Sequence, residues 1–512
     1  MPRMTDTAHA PLEVGQPFEI TDVVSVARDG RRAILGPTGR AALTRAASAV
    51  HARLVQDAPA TYGINTGFGA LAEVRVSDEQ LVQLQLNLIR SHAVGVGELV
   101  PTEAVRAMML LRAQVLALGW SGVRPLVVEA ILDLLNARVH PLIPALGSVG
   151  ACGDLAPLAH LALVLIGEGR AEFEGQVLSG AEALRRAKLT PIVPAPKEGL
   201  SLINGTASMT AIGALAFNAA HNLLEAADVA GAMTVEAIKG STAPFDPAIV
   251  DARPHPGARV TSDNLRALLA DSVINASHAD CDEVQDAYSV RCMPQVHGSA
   301  RDLVTFASRM VGIELNAATD NPLVFPDGRI VSNGNFHGQP VAAACDVGVM
   351  ALADLASISE RRIAYLIDPA RSRGLPAFLA AEPGLGSGFM MAQVTAAALV
   401  SELKNLANPR SVDSIPTSAD KEDHVSMGMM AARALARAAD LCGWVLAIEL
   451  AVAARGIELR GLPPGRGVAA ALARVRSEVE TLATDREMHA DFETLKAAIL
   501  KGAFTSAHFL GI

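Results

Sequence analysis

At 512 residues the chain is longer than one compact core ordinarily fills, which predicts two to four domains or one elongated helical body shared between subunits. Hydrophobic residues make up 50% and charged residues 19%, with only 4% aromatic, so the core is expected to be mostly Ala, Leu, Val and Ile in closely packed helices, with apolar surface to spare for a homo-oligomer. A formal net charge of -10, spread along the chain without a basic run, excludes nucleic acid as a partner.

The opening residues MPRMTDTAHAPLEVGQ lack the apolar stretch of a signal peptide. No segment offers the roughly 18 uninterrupted apolar residues of a membrane span, so a cytoplasmic protein without membrane contact is expected. The first 60 residues mix a short Val/Ile-rich piece, Phe18 to Val26, with a helical stretch near Ala41 to Val55, and lead into the Gly-rich loop TYGINTGFG at 61 to 69. Apolar residues then return at three- and four-residue steps, predicting helices over Asp78 to Val94, Thr102 to Leu118, Pro125 to Leu135 and Leu155 to Ile166. Pro125 suits a first helical turn, while Pro141 and Pro144 punctuate a connection.

Long Ala/Leu-rich helices are predicted at Ala207 to Ala237, Pro340 to Ile367, Ser387 to Asn408 and Glu422 to Ala454, with a shorter one at Ala300 to Ile313. Rods of this length pack side by side as a bundle. From about Gly456 the pattern reads as a helical cap with Arg/Glu pairing on its outer face. The expected organisation is a small mixed α+β part over 1–205, a central long-helix bundle over 206–455 and a helical cap over 456–512, mainly α throughout. Between the helices lie polar, Gly-rich loops at Gly147 to Gly153, Asp282 to His297, Asn316 to His337 and Arg410 to Asp423, which collect the reactive side chains.

Five cysteines (Cys152, Cys281, Cys292, Cys345, Cys442) are scattered, with no CxxC pair and no zinc spacing, and read as thiols in a reducing compartment. His160, His297, His337 and His424 fall in different motifs without HxxxH or HExxH spacing, so no metal site is expected. Cys152 stands apart because of its neighbours in GSVGACGDLAPLAH, 147 to 160. Gly150 and Gly153 flank Ala151-Cys152, and Asp154 is placed to cap the helix beginning near Leu155. Two readings stand. One is a tight turn feeding a capped helix. The other is a strained turn in which the Gly153 nitrogen reaches the Ala151 carbonyl, an approach that only glycine tolerates.

This string resembles the signature of the histidine and aromatic amino-acid ammonia-lyase family, in which Ala-Ser-Gly cyclises autocatalytically into 4-methylideneimidazole-5-one (MIO). Also similar are TYGINTGFG, LQLNLIRSHAVGVG (84 to 97), EGLSLINGTA (198 to 207), VQDAYSVRCMPQVHG (284 to 298), NAATDNPLVFPDG (316 to 328), GNFHGQP (334 to 340) and SVDSIPTSADKEDHVSMG (411 to 428). The resemblance implies the ammonia-lyase/fumarase-like helical fold and a homotetramer in which several subunits build each site, so Tyr62 and Glu422 need not come from the chain that supplies Cys152. It further implies an elimination in which Ala151, Cys152 and Gly153 supply the electrophile and Tyr62 removes the β proton. Asn204 and Tyr288 would steady charge on the MIO oxygen, and Arg291 would grip the substrate carboxylate, a task that suits its two-pronged guanidinium. Gln285 and Phe336 match pocket positions. His92 and Glu422 match the branch that reads an imidazole ring, whose N–H a carboxylate accepts and a phenyl ring lacks.

Three positions depart from that pattern: Cys152 replaces Ser, Ala207 stands where Gln follows Asn-Gly-Thr, and Lys421 replaces the Gln before Glu422. A cysteine still permits MIO formation by losing hydrogen sulfide where serine loses water. The expected reaction is L-histidine to trans-urocanate and ammonia. Two alternatives within the same fold stay open. One is an MIO-independent loss of trimethylamine from ergothioneine, as in the related ergothionase, with Lys421 beside Glu422 binding the thioimidazole betaine. The other is a different aromatic amino acid. From another class, a non-catalytic helical scaffold explains length and apolarity but not the joint match at base, clamp and imidazole partner.

Overall fold

The structure, a computed structural model, describes residues 10–54, 61, 63–67, 74–279 and 283–510. The chain forms two compact units, each described here by itself. The first comprises Met1–Leu215, Ser308–Asp346 and Pro409–Arg433, and the second Ala216–Ala307, Val347–Asn408 and Ala434–Ile512. Helices dominate, as the periodicity predicts, and the longest are Ala207–Ala237, Met293–Glu314, Gln339–Ile367 and Gly428–Arg460. The last of these starts six residues later than the pattern suggests, because Glu422 pairs with Thr417 across a hairpin and Met427 takes φ +53°. It also runs past Gly456 to Arg460 and ends at Gly461, whose φ of +65° favours glycine.

Described sheet in the first unit is short. Leu12–Val14 pairs in parallel with Ala33–Leu35, Val96–Leu99 lies antiparallel to Pro144–Leu146, and His140–Pro141, Arg170–Phe173 and Gln176–Ser179 form three strands. Pro141 and Pro144 thus sit in strand pairs, where a missing N–H is tolerated at an edge. The Val/Ile-rich piece near Phe18 becomes the helix Ile20–Ala27, whose Asp22 side chain accepts the Glu19 N–H at 3.0 Å. At the centre of this unit the helix Thr102–Ala117 is buried along almost its whole length. Its Arg106 donates to Val26 O, Ala27 O and Leu135 O, placing a cation where the carbonyl ends of two helices concentrate negative charge.

In the second unit small residues let the rods approach closely. A Cβ on Gly257 would stand 2.1 Å from Gly298 O, and one on Gly456 2.8 Å from Ala237 Cβ. Arg362 and Glu449, both 0% exposed, form a buried ion pair that Ser359 and Thr234 extend. His297 lies in the same spine, bonded to Asp228 at 2.8 Å and facing Arg362, so this motif histidine is a core residue. The helix Gln339–Ile367 is long and apolar enough to cross a membrane by length and composition, with mean hydropathy 1.8, but 67% of its apolar window is buried inside the protein, as in a core helix. After Gly428–Arg460 come Arg466–Glu478, His489–Leu500 and Ser506–Leu510, with Arg474–Glu478 and Arg476–Glu458 pairs.

Candidate active site

The turn at Ala151-Cys152-Gly153 is built by its glycines. Gly150 and Gly153 both adopt φ +73° and bridge one another, so the chain reverses around Ala151 and Cys152. A Cβ on Gly153 would fall 2.1 Å from Gly205 O, and one on Gly150 2.2 Å from Ser426 Oγ. Only glycine fits either position. Backbone bonds fix the turn from beneath, with Gly205 N donating to Cys152 O at 3.1 Å and Asp154 N to Gly205 O at 2.8 Å. Ser148 Oγ donates to Gly153 O and accepts from Gly150 N, while Ala151 packs with Val425 and Met427. A residue 153 stripped of side chain and a two-residue reversal are what ring closure of Gly153 N onto the Ala151 carbonyl requires, so the residues fit an MIO group.

Asp154 behaves differently from the sequence expectation. It occupies the position before the helix Leu155–Leu165, yet its side chain makes no bond to that helix. The carboxylate instead accepts from Met209 N at 2.8 Å, in the first turn of the helix Ala207–Ala237. Burial pushes this carboxyl up to about 7, against the opposing pull of those backbone donors.

Cys152 Sγ donates to Glu422 Oε1 at 3.1 Å. The two residues belong to one chain. Thr417 Oγ1 donates to Glu422 Oε2 at 2.7 Å, and the two backbones bond in both directions, so both carboxylate oxygens are held. The turn joining them carries Ser418, Ala419 and Asp420 at positive φ, a strained reversal that aims Glu422 inward and leaves Lys421 exposed. Burial and the adjacent Glu422 charge push the Cys152 thiol far above its ordinary range, so the sulfur keeps its proton.

Asn204 ends the helix Glu198–Ile203 and is 2% exposed. Its Nδ2 donates to Asp320 Oδ1 at 2.9 Å, with Asn321 O at 3.3 Å. Asp320 in turn receives Lys197 Nζ at 2.9 Å and Ser201 Oγ at 3.0 Å, and Arg112 donates to Asn204 O. Lys197, Arg112 and Asp320 are all 0% exposed. The cations hold the Asp320 carboxyl below its usual range despite burial, and burial lowers Lys197 and brings Arg112 to about 10. Sequence reading passed over these three. The available signals were Arg112 within the apolar run MMLLRAQVLA, and Lys197 and Asp320 at the edge of and within matched motifs.

The first unit also holds His92 and Phe336. His92 ends the helix Leu81–His92, its Nδ1 within 2.9 Å of Leu88 O, three residues before Gly95, which touches Gly147. Phe336 is half-buried next to His337, whose ring stacks on that of His424 at 5.9 Å. Tyr62 lies outside the described residues; its neighbour Gly63 packs against Leu200 of the Asn204 helix.

The second unit brings together Gln285, Tyr288 and Arg291. Arg291 Nη2 donates to Gln285 Oε1 at 2.9 Å, and its guanidinium lies 4.7 Å from the centre of the Tyr288 ring, which is 73% exposed. This arrangement presents a cation and a phenol on the surface. Tyr288 and Asn204 fall in different units. Among the described residues no cluster of His, Cys, Asp or Glu has metal-holding geometry.

Comparison with known proteins places these features in context. The aromatic amino acid lyase profile matches residues 18–477. A Sorangium cellulosum (strain So ce56) protein named histidine ammonia-lyase is 54% identical over 96% of this chain and 98% of its own. Among solved structures, histidine ammonia-lyase from Trypanosoma cruzi superposes with TM-score 0.90 at 40% identity, covering 98% of this chain and 95% of its own. Ergothionase from Treponema denticola does so with TM-score 0.89 at 26% identity, covering 97% and 99%. With a glycine-walled tripeptide turn and a match over nearly its full length, the chain belongs to the aromatic amino acid lyase family and is a carbon–nitrogen lyase.

Proposed function

We propose that this enzyme eliminates ammonia from L-histidine to give trans-urocanate. The observation that carries the reading is the Glu422 carboxylate, anchored by Thr417 and directed at the tripeptide turn. A carboxylate there accepts an imidazole N–H and favours the protonated ring, which a phenyl side chain cannot reciprocate. Relatives named histidine ammonia-lyase at about half identity support the same substrate.

The residues divide the work as follows. Arg291, steadied by Gln285 and by the Tyr288 ring, holds the substrate carboxylate through charge-assisted bonds. Glu422 orients the imidazole, with His92 and Phe336 walling the ring and Lys421 at the rim. Tyr62 takes the β proton, the Cα–N bond breaks, and the electron pair forms the Cα=Cβ bond of urocanate. The MIO group from Ala151, Cys152 and Gly153 supplies an electrophile that makes the amino group a competent leaving group. Asn204, locked by Asp320, steadies the turn that carries it. The reading includes a cytoplasmic homotetramer in which neighbouring subunits complete each site. Purified protein offered L-histidine, ergothioneine, phenylalanine and tyrosine in parallel tests the substrate. Ammonia and urocanate from histidine alone are expected, and trimethylamine release or a preference for phenylalanine would overturn the role given to Glu422.

A further inference from the structure

We infer that Glu422 acts before any substrate arrives: it carries the proton that lets the Cys152 sulfur leave as the tripeptide matures into the MIO group. The inference rests on the MIO reading above. It starts from the 3.1 Å contact between Cys152 Sγ and Glu422 Oε1, the one side-chain bond described for this thiol. Among the described residues Glu422 forms no ion pair, and Thr417 Oγ1 donates to its second oxygen. A carboxylate so placed is a competent base, pre-aimed at the side chain that must depart. Burial and the neighbouring charge keep this sulfur protonated, so it leaves as hydrosulfide, and the proton that must be moved for the bond to break is the one on Cys152 Cα.

The chemistry balances without an oxidant. In ring closure Gly153 N bonds to the Ala151 carbonyl carbon, the oxygen leaves as water with the amide hydrogens of Cys152 and Gly153, and a double bond forms between Ala151 C and Cys152 N. The Cys152 Cα–H, now flanked by that double bond and by the Cys152 carbonyl, is acidified. Glu422 takes this proton, the electron pair forms Cα=Cβ, the Cβ–Sγ bond breaks and sulfur leaves as hydrosulfide. Hydrosulfide collects the proton from Glu422 and departs as hydrogen sulfide. Each chain thus loses one water and one hydrogen sulfide, and Glu422 is returned ionised. Its Oε1, previously occupied by the thiol, is then open to a substrate imidazole, so one carboxylate serves maturation first and recognition afterwards.

Intact mass, circular dichroism and fluorogenic capture of sulfide during cell-free synthesis test this on the full chain, independently of turnover. The wild type is expected to lack one water plus one hydrogen sulfide and to release one sulfide per chain. Glu422→Gln, helical by circular dichroism, is expected to keep its sulfur, at the full mass or lacking water alone, with sulfide release slowed about a hundredfold or more. Glu422→Asp, which retains the carboxylate, should mature. Thr417→Val, which frees Oε2 without removing charge, should mature more slowly than wild type and serves if Glu422→Gln does not fold. Glu422→Gln or Thr417→Val releasing sulfide at the wild-type rate overturns this inference and leaves the lyase reading intact. A wild-type chain at full mass overturns both.

Discussion

Replacing Asp320 by alanine removes the single carboxylate that meets two cations buried in the first unit. Lys197, at 0% exposure, loses its 2.9 Å partner, Arg112 loses one of its two nearby anions, and Asn204 Nδ2 loses its acceptor. Breaking a buried pair from one side costs about 3–5 kcal/mol, because the surviving charge stays desolvated. The double variant Lys197→Met/Asp320→Leu removes both charges and should recover most of that loss. The defect also has a pH signature. Lys197 already titrates below its unfolded value, and without Asp320 it falls further, so the cost is full at low pH and shrinks as pH rises through the lowered folded value. The two tryptophans, Trp120 and Trp444, belong to different units, and Trp120 lies edge-on to Phe325 at 5.4 Å in the first. In a Trp444→Phe background, guanidinium unfolding followed by Trp120 fluorescence therefore reports on this unit. A change under about 1 kcal/mol for Asp320→Ala, or a double variant no more stable than the single one, would refute the reasoning.

Asp154 gives a second pH test. Its folded value of about 7 lies above the unfolded value of about 3.9, so its contribution is fully present below the lower value and is lost as pH rises through the upper one, a swing of about 4 kcal/mol at most. Asp154→Asn keeps an acceptor for Met209 N and should flatten the fall in urea midpoint between pH 5 and 8; an unchanged slope would assign it elsewhere. Gly153→Ala meets both a positive φ and Gly205 O, so thermal unfolding should come earlier by the equivalent of at least about 1–3 kcal/mol, with no mass loss at the turn. Arg291→Ala should raise KM for histidine about 10- to 100-fold, the worth of bonds to a charged carboxylate, as steady-state kinetics would read. Tyr62→Phe should lower kcat about 100-fold or more, and retained turnover would remove Tyr62 as the base.

Much of this was written in the chain's periodicity. Ala207–Ala237 runs between the residues that its Ala/Leu pattern marks, since a helix apolar on most faces has no other stable placement in a core. Glu422 was legible as a residue type but not as a position. Its hairpin depends on three consecutive left-handed residues, Ser418, Ala419 and Asp420, none of them glycine, which local propensity does not signal. Asp154 shows the same limit. Its spacing suggests a cap for the next helix, whereas the chain crossing at Gly205 brings a different helix start within reach. The buried Lys197–Asp320 pair was hidden because a sequence shows charges without showing which will be enclosed together.

The central claim is that Ala151-Cys152-Gly153 becomes the electrophile of a histidine-deaminating enzyme. Proteolysis of active protein after alkylation under denaturing conditions, with mass spectrometry of the peptide bearing residues 147–160, tests it most directly. The account predicts a peptide lighter by one water and one hydrogen sulfide, with no alkylated thiol at Cys152. An alkylated, full-mass Cys152 peptide from protein that converts histidine to urocanate would contradict it.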